Sequence, residues 1–97
     1  MAEIQPPATL EEAGRELWKT VLAEYDLGGT SLVILRSMCE AADRAAQCHA
    51  QLKQDGPIVP GGSGQPVAHP LLAIEVKARA AMLAHARALK LDLAGGE

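Results

Sequence analysis

One segment divides this chain. Residues 55–68 hold three of its six prolines and four of its nine glycines, and both residue types are disfavoured inside a helix. The stretches on either side must therefore be separate elements. Within the segment, Ile58-Val59 and Val67-Ala68 flank Gly61-Gly62-Ser63-Gly64, the pattern of a short β-hairpin or an ordered loop. Its prolines confine any strand to edge pairing.

The flanking stretches carry helical periodicity. Thr9 followed by Glu12 has the spacing of a capping box. A first helix then runs to about Glu24, with Leu10, Ala13, Leu17 and Val21 on one face and Trp18, Leu22 and Tyr25 widening it. Asp26-Leu27-Gly28-Gly29 ends it, and Thr30 or Ser31 caps a longer helix from Leu32 to about Gln54. The expected buried face of that helix is Leu35, Met38, Cys39, Ala42, Ala46 and His49, with Ile34, Ala45 and Leu52 beside it. Arg36, Glu40, Asp43, Arg44, Gln47 and Gln51 form the expected solvated side. After the Gly/Pro segment, His69-Pro70 opens a third helix to about Lys90, with Pro70 at the first helical position. The fold class is mainly α: a three-helix core with a short hairpin or loop between helices 2 and 3. Residues 1–8 read as a flexible or extended arm, 9–91 as one helical oligomerisation domain, and 92–97 as a fraying tail.

The third helix carries more apolar surface than one core needs. Leu71, Ile74, Ala78, Ala81, Met82, His85 and Leu89 make one stripe; Leu72, Val76 and Leu83 make another, roughly 120° away. A chain of 97 residues has few elements with which to cover both, and packing against copies of itself would stabilise it. Trp18, Leu22, Leu72, Val76 and Leu83 are therefore the expected oligomer interface.

Charge narrows the partners. The chain carries 12 acidic and 9 basic side chains, a net charge of −3, which is not the balance of a protein gripping phosphates over its whole surface. The distribution is uneven: residues 10–25 are acidic, whereas residues 71–91 carry Lys77, Arg79, Arg87 and Lys90 against Glu75 alone. An acidic first helix and a basic last one suit contact between subunits, or a basic surface confined to one element. Those four cations are the candidates for phosphate contact, with Arg15 and Lys19 in reserve. A plain solvated helix face is the simpler account of them, because four scattered basic residues are common on any helix.

Catalytic and metal chemistry find no support in the spacing. CxxC, HxxxH and HExxH are absent, Cys48-His49 point apart on a helix, and His85 reads as a packed histidine. The Gly61–Gly64 run is followed by Gln65-Pro66, where a phosphate loop requires Lys-Ser/Thr. No catalytic residue, cofactor or metal ligand is expected, and the protein is read as non-enzymatic. Cys39 and Cys48 would lie roughly 13 Å apart along one helix, too far for a bridge, and fit free thiols in a reducing compartment. The start MAEIQPP lacks the features of a signal peptide and no apolar run is long enough to span a bilayer. The expected location is the cytoplasm.

The order of these features resembles the small subunit of phage terminase, the DNA-packaging factor of tailed phages. The resemblance covers about Leu10 to Leu91. It rests on the helix around Ala13-Gly14-Arg15-Glu16-Leu17-Trp18, the second helix with Leu35 and Met38-Cys39-Glu40-Ala41, Gly56 closing it, the Gly-rich hairpin, and His69-Pro70-Leu71 before a helix ending near Leu89-Lys90-Leu91. Lys90 stands where the family has the Gly of a Leu-Gly-Leu-like turn. The resemblance implies a ring-forming homo-oligomer that recognises viral double-stranded DNA and presents it to the terminase large subunit. The alternative is a small helical regulator that binds another protein and has no DNA role.

Overall fold

The computed structural model describes residues 4–91; the tail read at 92–97 lies outside them, as do the first three residues of the arm. Three helices, α1 (Glu12–Glu24), α2 (Thr30–Asp55) and α3 (Leu71–Ala88), are joined by a loop between α1 and α2 and, between α2 and α3, by a two-stranded antiparallel hairpin of β1 (Ile58–Pro60) and β2 (Pro66–Ala68). The expected architecture is the observed one. The hairpin register pairs Ile58 with Ala68, Val59 with Val67 and Pro60 with Pro66.

Length sets the layout. With 26 residues, α2 is about 39 Å long at ~1.5 Å per residue, twice the reach of the 13-residue α1. α3 packs back along α2, α1 covers part of it, and α1 and α3 scarcely meet. The core sits where all three converge, built from Leu10, Trp18, Val21, Leu35, Met38, Cys39 and Ala86. Ala41, Ala45 and Cys48 of α2 and Ala78 of α3 are also buried, and side chains this small let helices approach closely.

Several local expectations change. α1 is not capped by Thr9: its N-cap is Glu11, which makes no side-chain cap. The cap comes instead from α2, where Asp43 accepts the Glu11 amide at Oδ2 (2.7 Å) and the Gly14 amide at Oδ1 (2.6 Å). Asp43, assigned to the solvated side, is therefore buried, whereas Ala46 and His49, assigned to the core, are exposed. Gly29, not Thr30 or Ser31, occupies the α2 N-cap, with φ +57°. The arm is tied at Ile4, whose carbonyl accepts the Trp18 indole N–H at 3.1 Å.

The ends of the hairpin are fastened to both long helices. The His69 amide donates to the Pro57 carbonyl at 2.8 Å. Its ring Nδ1 accepts the Leu71 amide at 3.1 Å, capping α3. In the neutral ring this places the proton on Nε2, which lies 2.9 Å from Asp55 Oδ2. Gln51 donates to the same oxygen at 3.0 Å. At the far end of α3, Lys90 adopts φ +60°, its amide donates to Arg87 O and the Leu91 amide to Ala86 O. This is a Schellman motif with lysine in the usual glycine position.

Candidate nucleic-acid and association surfaces

The outward side of α3 is the least covered apolar surface of a helix in the described chain. Val76 is 68% exposed and Leu83 48%. Ala73, Val76, Ala80 and Leu83 are all exposed, and their alternating spacing of three and four is that of a coiled-coil seam. At ~100° per residue the seam lies opposite the buried positions Ala78 and Ala86, with Lys77 and Arg79 flanking it on either side. Leu72, assigned to the same stripe, is half-buried.

Trp18 and Leu22 belong elsewhere. Trp18 is 4% exposed and part of the core, and Leu22 is half-buried against it. The expectation that they have no partner within the chain fails because the arm and α2 supply one. Among the expected interface residues, Val76 and Leu83 are the ones left open.

The six candidate phosphate ligands are not equivalent. Arg79 is held by Glu75, with Nε and Nη2 at 3.0 and 2.7 Å from the same oxygen. Glu75 also faces His49 Nδ1 at 3.5 Å. Bonding to Arg79, above all, keeps the Glu75 carboxyl below its usual range. Arg15 turns back to the Leu10 carbonyl. Lys19, Lys77, Arg87 and Lys90 are exposed and have no ion pair among the described residues. They do not form one patch: Lys77 and Arg79 sit on opposite flanks of the seam, and Lys19 is on another helix.

Beside the seam, α1 and α3 diverge over Met38 and leave a groove of about 440 Å³ with an apolar floor. Leu17 and Val21 of α1, Met38 of α2, and Met82, Ala86 and Leu91 line it; Glu24 and Thr20 stand on its α1 side and Arg79 and Leu83 on its α3 side. Sequence periodicity missed this feature because it depends on the splay between helices.

Other chemistry is sparse. Among the described residues, no group of three or more His, Cys, Asp or Glu side chains is placed to hold a metal ion, and no helix is long and apolar enough to cross a membrane. Cys39 and Cys48 are free and buried. Burial, reinforced by Asp43 and Glu40, pushes the Cys39 thiol up to about 12, which suppresses the reactive thiolate. Asp43, the polar residue most consequential for the fold, was legible only indirectly: it lies one turn after Cys39 among Ala41, Ala42 and Ala45.

Comparison with known proteins bears on this arrangement of three helices, hairpin and open α3 face. No curated protein and no solved structure matches the chain. The profile of a family described as "Phage terminase, small subunit" matches residues 14–95, which include the whole of α2, the hairpin and α3. The chain belongs to the phage terminase small subunit family.

Proposed function

We propose that this protein is a non-catalytic, oligomeric adaptor of genome packaging in the host cytoplasm, recognising viral double-stranded DNA and regulating the terminase large subunit. The observation that carries this reading is the outward side of α3, where exposed Val76 and Leu83 lie on the same helix as cations without ion pairs among the described residues. Aliphatic side chains serve association between copies, and cations serve phosphate contact. Arg87 and Lys90 at the end of α3, with Lys19, are assigned the DNA contacts, because Arg79 and Arg15 are already engaged within the chain. Each subunit is net acidic and offers few cations, so affinity arises by repeating a weak contact around an oligomer.

The test is a titration of wild type and a Lys19→Ala/Arg87→Ala/Lys90→Ala variant with duplex DNA across salt concentrations. Wild-type affinity falls steeply with salt, and the variant binds more weakly with a shallower dependence. Salt-independent binding, or equal affinity of the two proteins, would refute the assignment.

A further inference from the structure

The open seam and the groove differ in charge at their edges. Lys77 and Arg79 flank the seam, whereas the α1 edge of the groove carries Glu24, with the exposed Glu16 eight residues before it and about 80° round the helix, just outside the groove lining. Neither glutamate has an ion pair among the described residues. Nor has Lys77.

This asymmetry decides what can cover the seam. If two α3 helices paired through it, the unpaired Lys77 of one copy would meet Lys77 or the Glu75-bound Arg79 of the other, since both lie near the midpoint of Ala73–Leu83. Like charges facing across an apolar seam disfavour that arrangement. The α1 edge of the groove offers opposite charge beside an apolar floor of Leu17, Val21, Met38 and Met82. It therefore complements the seam in both respects.

We infer that the α3 seam of one copy docks in the α1–α3 groove of a second copy, Val76 entering the apolar floor and Lys77 facing Glu16 and Glu24. The contact is heterologous: each copy offers a seam and, beside its Arg79 flank, a groove. It can therefore propagate and close into a ring, where a two-fold contact would stop at a dimer. This inference rests on the proposed self-association and specifies which surfaces meet.

Two charge-reversed proteins test it. Lys77→Glu/Ala84→Glu makes the seam edge acidic, and Glu16→Lys/Glu24→Lys makes the groove edge basic; all four positions are exposed, and circular dichroism checks that helix content is kept. Masses of wild type, each variant and their mixtures are measured in solution at micromolar concentration by light scattering. The expected result is that each variant alone falls at least twofold in mass and that mixing the two variants restores the wild-type mass. If wild type is oligomeric and neither variant changes mass, the docking is overturned while self-association stands. Loss of mass by the seam variant, with the groove variant unaffected, overturns it in favour of α3–α3 pairing. A monomeric wild type overturns self-association itself, and this inference with it.

Discussion

Gly14 and Asp43 are fitted to each other across the α1–α2 interface: the Gly14 amide donates to Asp43 Oδ1 at 2.6 Å, and a Cβ on residue 14 would stand 2.5 Å from Oδ2 and 2.8 Å from the Cys39 carbonyl oxygen. A carboxylate at a helix start satisfies amides that have no partner within the helix and meets the positive end of the helix dipole. Here the carboxylate belongs to another helix, so capping and packing are one interaction.

Asp43→Ala leaves the Glu11 and Gly14 amides without that acceptor, and is expected to cost about 2–3 kcal/mol. In a domain of this size each kcal/mol corresponds to a shift of roughly 4–8 °C in Tm. Gly14→Ala should also destabilise, by about 1–3 kcal/mol, because the obstruction includes backbone. Thermal melts measure both. A Tm within two or three degrees of wild type (roughly half a kcal/mol or less) for Asp43→Ala would refute the capping role.

Lys90 is the converse case, a side chain where none is favoured. At φ +60° a lysine bears a steric cost that glycine avoids, on the order of 1 kcal/mol. Lys90→Gly should raise Tm by several degrees while leaving the α3 end intact, since the Leu91-to-Ala86 bond is made by backbone. Unchanged or lowered stability in the melt would mean that Lys90 makes a compensating contact.

Cys39 is 0% exposed and its thiol titrates at about 12. Because the thiolate is the attacking species, Cys39 should resist iodoacetamide at pH 8 in the native protein and react at once in denaturant. Peptide mapping after a timed exposure distinguishes it from Cys48. Rapid native labelling of Cys39 would show that the core opens readily.

Much of this was readable from residue order and some was not. The Gly/Pro segment located the hairpin, and period-3.6 patterning located all three helices, because both are properties of neighbouring residues. The second stripe of α3 was legible in the same way: Val76 and Leu83 are exposed since the core side of that helix is already occupied. Asp43 and Trp18 were misplaced for a common reason. Each is satisfied by a group distant in sequence, the amides of Glu11 and Gly14 for one and the Ile4 carbonyl for the other. Periodicity carries no record of such partners. The groove was likewise invisible, and Glu75 was set against all four cations of α3 together, whereas it holds Arg79, one turn later.

The junction at His69 joins hairpin and helices, and its behaviour with pH follows from the groups around it. Asp55 is held below its ordinary value of 3.8 by hydrogen bonds from Gln51 first and His69 second. Glu75 is held below 4.5, chiefly by Arg79. A carboxylate depressed in the folded state contributes stability that is complete above its unfolded value and lost as pH falls through the folded one. Between pH 7 and 5 these two carboxylates should therefore leave Tm unchanged, and below about pH 4 they should make it fall. Asp55→Asn should lower Tm at neutral pH and flatten the acid limb, because the group that takes up the proton is gone. His69→Ala removes the acceptor of the Leu71 amide as well, and should cost about 1 kcal/mol through the lost α3 cap, with DNA affinity unchanged at temperatures where the variant is folded. Melts at half-unit steps from pH 7 to 2.5 for wild type and both variants, with one DNA titration of His69→Ala, measure all of this. An acid limb for Asp55→Asn as steep as that of wild type would remove Asp55 from the account. Loss of DNA binding by a fully stable His69→Ala protein would move His69 from the scaffold to the binding surface.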